Sequence, residues 1–446
     1  MQYLLQRGVR GPRPMLRPLQ ASLAVLLLTL GSAASAQAGA LDPDFGTGGV
    51  VQRLGNRAGS MLLRSSDGSY YLGGYTRDGS MGHLALNRFL ADGSIDNAYG
   101  NNGTALSFSF NPNAPPTFEA GLALDNGKLM IVGGRVIGDD RSLQLHRINA
   151  DGSVDASFSA VDPAPGKFCY GTALHRLADG KLLIAAILDR GSNPGSDTNF
   201  AVMRYLDDGT LDASFGIGGI AETSFTTGQD RPFALALQSD GAIVLAGWAP
   251  IGNGSGFAVA RFTADGMLDS SFGNGGRLTP FVASGIEYAH AVAVQPDDRI
   301  LVAGSTSTNG SSHAIVRLTA AGTLDTDFGN GGRVVYRIGM RSEAKSLSVA
   351  GDGSIYTGGY AFDVDDSEYF AVSRISSAGT WDQNFGGSGR VAAAFRAAVV
   401  NRHLLQEDGK FVVGGTWADA KGVAGIGMMR VLTSTASLFS DGFETP

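Results

Sequence analysis

The sequence predicts an all-β fold, a seven-bladed β-propeller of four-stranded blades, from three observations. A short stretch, clearest as Met267-Leu268-Asp269-Ser270-Ser271-Phe272-Gly273-Asn274-Gly275-Gly276, recurs from end to end. Its aspartate stands at Asp42, Asp96, Asp155, Asp212, Asp269, Asp325 and Asp382, at spacings of 54, 59, 57, 57, 56 and 57 residues. Each unit also carries four short strand-like runs, and several are apolar on both faces, as in a sheet covered on both sides. A β-solenoid fits less well, because a unit of about 57 residues is long for one coil.

The fourth unit shows the elements in order. Ile220 to Phe225 is the first run and Phe233 to Leu237 the second; Ser239-Asp240-Gly241 then turns into Ile243 to Gly247. A polar loop leads to Phe257 to Phe262, and Asp265-Gly266 opens the next signature. Asp-Gly between two apolar runs is a strong hairpin signal. Three residues after each signature aspartate stands an aromatic: Phe45, Tyr99, Phe158, Phe215, Phe272, Phe328 or Phe385. Glycine follows in every copy but the third, which has Ser159. No stretch after the first 36 residues has a helical period.

The ends read differently. Residues 1–36 have the form of a secretory signal: Arg7, Arg10, Arg13 and Arg17, an apolar run from Ala21 to Leu30, then Ala34-Ser35-Ala36. Domain limits follow as a signal peptide at 1–36, a seven-repeat domain at 37–432 and a tail at 433–446. The expected location is outside the cytoplasm: periplasmic, cell-surface or extracellular. Without its first four arginines the chain carries 30 basic and 41 acidic residues, which opposes nucleic-acid binding. The apolar run is too short to span a bilayer, so no transmembrane segment is expected after processing. The single cysteine, Cys169, excludes an internal disulfide and reads as a buried, inert thiol.

The repeated D-G-x-L-D-x-x-F-G-x-x-G pattern, from Leu41 to Leu432, resembles the delta-60 repeat family of exported bacterial proteins. The resemblance implies a propeller and brings no established activity or catalytic residues. The terminal Phe439-Ser440-Asp441-Gly442-Phe443-Glu444 resembles a short tail seen on some exported bacterial proteins.

An arginine recurs in the last apolar run of every unit: Arg88, Arg147, Arg204, Arg261, Arg317, Arg374 and Arg430. For the first six, the signature aspartate lies eight residues on: Asp96, Asp155, Asp212, Asp269, Asp325 and Asp382. An unpaired charge in a covered strand is costly, so one Arg–Asp tie per blade junction is expected rather than a cationic ring around a channel. Arg430 and Asp42 are left over at opposite ends, and a closed ring pairs them.

Other candidates are fewer. Asp363, Asp365 and Asp366, with Glu368, form the densest acidic loop and Asp139-Asp140 a smaller one, but neither has calcium-loop spacing. His83, His146, His175, His290, His313 and His403 lack zinc-motif spacing, so neither metal nor cofactor is expected. No G-x-S-x-G elbow or phosphate loop occurs.

An up-and-down blade places the Asp-Gly turns and signatures on one face and the differing loops on the other. The second face, with Trp248 and Trp417 as stacking candidates and the Asp363 loop beside them, is the expected binding surface. Two functions follow. The first is a monomeric exported binding module for a protein, a glycan or a surface polymer. The second is a propeller enzyme, such as one acting on polysaccharides, with acids or histidines converging in a central channel.

Overall fold

The computed structural model describes residues 38–433, except 56, 79–80, 111–116, 138–139, 165–167, 192–194, 281, 283–284, 308–309, 394–395 and 420–422. The expected signal segment and the tail beyond Thr433 lie outside the described residues. Seven antiparallel sheets follow one another as blades. Blade 3 is typical: Cys169–Arg176, Leu182–Asp189, Thr198–Tyr205 and Ile220–Thr223, paired in that order. A central cavity touches the first strand of every blade, from Leu62 in blade 1 to His403 in blade 7, so first strands are innermost. The middle strands carry the expected two-faced apolar pattern, and Leu182–Asp189 is buried at every residue.

The register corrects one expectation. The signature does not link blades; it joins the third strand to the outer strand of the same sheet. The run at Ile220 therefore finishes blade 3 instead of opening blade 4, which begins at Arg231–Leu237. The two loop faces keep the expected assignment, because strands still alternate in direction. A second correction concerns blade 2, which among the described residues has three strands, Thr117–Ala123, Leu129–Ile137 and Asp140–Ile148. Its outer strand should follow Phe158. In blade 3, Gly216, Gly218 and Gly219 all turn at positive φ (51°, 62° and 95°) between Phe215 and the outer strand. Ser159, Ala160 and Val161 follow Phe158 instead, and side chains resist that left-handed path. The chain runs on without pairing, and Val161 donates its amide to the Gly209 carbonyl at 3.0 Å.

Apolar cores lie between blades. Leu183, Phe200 and Phe215 of blade 3 meet Ile243, Leu245 and Phe262 of blade 4. The same arrangement recurs around the ring to Phe45, Val412 and Met428 against Leu62, Tyr70 and Phe89 at the seam of blades 7 and 1. At that seam Val50–Leu54 serves as the outer strand of blade 7, antiparallel to Ala424–Leu432.

Six of the seven junctions are spanned by one guanidinium; Arg88 keeps its contacts within blade 1. Arg261 Nε donates to Asp269 Oδ2 at 2.8 Å and Nη2 to Ser271 Oγ at 3.1 Å, both in its own blade. Nη1 reaches the next blade, donating to the Ala320 carbonyl at 2.5 Å, and the fork lies 4.7 Å from the centre of Phe272. Arg204 repeats this with Asp212, Ser214, Phe215 and the Ala264 carbonyl. Above the ring sits the next blade's Asp-Gly turn. A Cβ on Gly266 would stand 2.8 Å from Phe215 Cζ, so only glycine lets that turn close.

At the seam Arg430 Nε donates to Asp42 Oδ2 at 2.8 Å across 388 residues of chain, and Nη1 to the Ala91 carbonyl of blade 1 at 2.7 Å. Burial alone would raise the Asp42 pKa. The Asp44 amide, Arg430 and Lys410 outweigh it and hold the carboxyl below its ordinary value. Arg430→Ala should therefore lower unfolding stability by roughly 3 kcal/mol, the low end for a broken buried pair, because Lys410 stays 3.2 Å from Asp42. Arg88→Ala, whose pair with Asp96 is 3.2 Å long and more exposed, should cost under about 1 kcal/mol. Chemical denaturation of both variants checks the order, and equal losses would contradict a seam role.

Candidate functional site

The structure brings each repeated arginine to its aspartate: Arg88–Asp96 at 3.2 Å, Arg147–Asp155 at 2.6 Å, Arg204–Asp212 at 2.8 Å, Arg261–Asp269 at 2.7 Å, Arg317–Asp325 at 2.7 Å, Arg374–Asp382 at 2.5 Å and Arg430–Asp42 at 2.8 Å. A second cation reaches several of these carboxylates: Lys128 to Asp155, Lys181 to Asp212, Arg299 to Asp325 and Lys410 to Asp42. Sequence reasoning missed it, although the basic residue after Asp-Gly, as in Asp179-Gly180-Lys181, was the signal. Six of the seven span a blade junction, which turns attention to what does not repeat.

The loop-face candidates separate. Trp417 lies in the core between blades 6 and 7, its Nε1 donating to the Ile426 carbonyl at 2.9 Å, so its ring is not offered to a ligand. Asp363 accepts from Tyr369 and Arg390, Asp365 accepts the Ser367 amide, and Asp366 pairs with Arg341 at 3.2 Å. Among the described residues no three acids, histidines or cysteines gather as a metal site. Trp248 is half-buried where the innermost strand of blade 4 begins. Tyr288 of blade 5 meets it edge-on at 5.4 Å, and the Arg231 guanidinium lies 5.6 Å from its ring.

From this mouth a connected wall runs down the channel. Tyr288 stacks on His290 at 6.4 Å, and Phe233 approaches the same imidazole at 5.6 Å. Lys345 of blade 6 donates to His290 Nε2 at 3.0 Å, which leaves the imidazole proton on Nδ1, and it pairs with Glu343 at 2.9 Å. Across the axis Tyr170 donates to Glu119 Oε1 at 2.6 Å. Arg402 of blade 7 donates to the backbone carbonyls of Glu119 at 2.5 Å and Thr172 at 3.4 Å, in blades 2 and 3.

These residues converge because the innermost strands are bulged. Pairing slips by one residue at Glu119, Thr172, Phe233, His290 and Lys345, and again between Val400 and Arg402. A bulge re-aims a side chain out of the alternating pattern. His290 and Lys345 stand in runs of small residues, Ala289-His290-Ala291 and Ala344-Lys345-Ser346, and that break in apolar pattern was the available signal.

Burial sets the protonation of the histidines. It pushes His290 well below the ordinary value, with Lys345 and Arg402 adding to the effect. It pulls His403 and His313 down to about 3 and His146 to about 4. The unfolded chain protonates its histidines near pH 6.5 while the native ring keeps these neutral, so unfolding takes up protons and stability falls as pH drops from about 6.5 towards 4. The melting temperature should be flat between pH 7 and 8 and decline steadily to pH 4.5. Calorimetry at pH 5 should show uptake of about three to four protons on unfolding; a flat profile down to pH 4.5 would contradict neutral burial.

Comparison with known proteins agrees with the fold. The family described as "Domain of unknown function (DUF5122) beta-propeller" matches at residues 65–99, 124–158, 177–215, 238–272 and 295–328. No curated relative matches. Among solved structures, a protein of unknown function from Dyadobacter fermentans is 12% identical, with 85% of this chain and 99% of that one covered and a TM-score of 0.44. The polysaccharide lyase Uly1 is 11% identical over 84% and 90%, at 0.48. Drosophila Semaphorin 2a is 9% identical over 86% and 75%, at 0.46. Among the described residues no helix is long and apolar enough to cross a membrane. The chain is a β-propeller repeat protein.

Proposed function

We propose that this propeller is an exported binding module of the delta-60 type that takes a glycan at the channel mouth on its variable face. The supporting observation is the arc of Arg231, Trp248 and Tyr288, which spans two blades and joins the central cavity through the Tyr288–His290 stack. A sugar offers a flat C–H face that suits an aromatic ring, and edge hydroxyls that suit the flanking Arg231 and Glu343. Export rests on the arginine-rich start, the short apolar run and Ala34-Ser35-Ala36.

The enzyme reading draws on His290 and His403, the histidines that a channel-centred site requires. His290 Nε2 already accepts from Lys345 and the ring is weakly basic, which favours binding over proton transfer.

Trp248→Ala should weaken the strongest hit on a glycan array by roughly three- to tenfold, the loss of one aromatic contact, with the melting temperature little changed. Unchanged affinity, or an interface mapped to the Asp-Gly face, would overturn the mouth assignment. N-terminal sequencing of protein recovered from outside the cytoplasm should start near Gln37; an intact residue 1–36 segment there would overturn processing at that site.

A further inference from the structure

The central cavity presents a guanidinium that no carboxylate among the described residues contacts directly. It measures about 270 Å³, the bulk volume of roughly nine waters at about 30 Å³ each. Its wall mixes aliphatic residues, among them Leu62, Leu174, Leu235, Val292 and Leu404, with polar surface, and the charged groups on it are Lys345 and Arg402. Lys345 is neutralised by Glu343 at 2.9 Å. Arg402 has no such partner: among the described residues no carboxylate forms an ion pair with it. Its contacts are the Glu119 and Thr172 carbonyls, both made through Nη2. Glu119, whose charge favours the ionised guanidinium, directs its Oε1 to Tyr170. Arg402 is half-buried in the cavity wall, where desolvation disfavours its charged form. A partly desolvated guanidinium gains from an anion in contact, and its planar fork matches a carboxylate edge in two parallel hydrogen bonds.

We infer that the cavity binds one carboxylate group, held by Arg402 with Lys345 beside it, on a small organic acid or the acidic end of a longer ligand. Glu119 already offsets part of the Arg402 charge from a distance, so the site has room for no more than one further negative charge, which favours a carboxylate over a phosphate dianion. The aliphatic part of the wall accepts the carbon skeleton behind that carboxylate, and the cavity limits the enclosed part to about the size of one sugar ring. The inference goes beyond the glycan reading and does not require it, since a free acid fills the site equally well. Propionate can therefore bind while the glycan array fails, and the reverse.

Calorimetric titration of the full chain with sodium propionate, sodium D-glucuronate and D-glucose tests this. Both carboxylates should bind with a stoichiometry of one and raise the melting temperature, and glucose should do neither. Tighter binding of glucuronate identifies an acidic sugar as the source; equal or tighter binding of propionate identifies a free organic acid. Arg402→Gln should reduce affinity for both at least tenfold, and Arg402→Lys should restore part of it. Should Arg402→Gln not fold, Lys345→Gln leaves Glu343 unpaired beside the cavity and should weaken both carboxylates at least fivefold. Failure of the wild-type chain to bind either carboxylate, equal binding of glucose, or unchanged affinity in a folded Arg402→Gln or Lys345→Gln variant would overturn the proposal.

Discussion

The ring depends on a guanidinium shared between neighbours. Arg204, Arg261 and their equivalents other than Arg88 bind a carboxylate and, in several copies, a hydroxyl in their own blade, rest on an aromatic ring, and extend one nitrogen to a carbonyl of the next. Arginine suits this role because its donors diverge in one plane, so one side chain fixes the separation and angle of two sheets. The carboxylate is positioned in turn: Asp269 accepts the Ser271 amide and hydroxyl, and these hydrogen bonds, the hydroxyl's first, keep it ionised below its ordinary pKa. Lysine could not repeat the arrangement, since its donors radiate from a single nitrogen.

What repeats was legible in the sequence, and what does not repeat was not. The Arg–Asp interval, the aromatic-glycine turn and the odd third copy each left a mark at fixed spacing, so the ring, its closure and its irregular blade could be anticipated. The phase of the repeat could not, because a periodic sequence looks the same whichever strand is counted first. Trp417 shows how narrow the margin is. Trp248 follows Gly247 directly, whereas Trp417 stands one residue further from Gly415. In a strand that single step turns a side chain to the opposite face, so one indole borders the mouth and the other is core. The channel was hidden for a different reason: a bulge breaks the period-two pattern from which facing is read, and Arg402 meets Glu119 across 283 residues.

The contrast between rim and axis divides the labour of the molecule. Around the ring, charges are matched and repeated, which suits a frame whose units need only hold their neighbours. Along the axis blades 2 to 7 each contribute a different residue: Glu119, Thr172, Phe233, His290, Lys345 and Arg402. One such substitution alters the channel without changing the neighbour-to-neighbour contacts that keep the blades in place.

The strand at Val50–Leu54 also sets an order of events in folding. It is made early, yet its partner, Ala424–Leu432, is among the last described strands. Until synthesis ends, its edge is a row of unpaired amides and carbonyls, the kind of template that recruits strands from other chains. Blade-to-blade contacts are local and can form as the chain emerges, but the final sheet closes only when both ends meet. The last step of folding is therefore a docking of the chain's beginning onto its end, and the vulnerable species before it is an open crescent with one edge waiting.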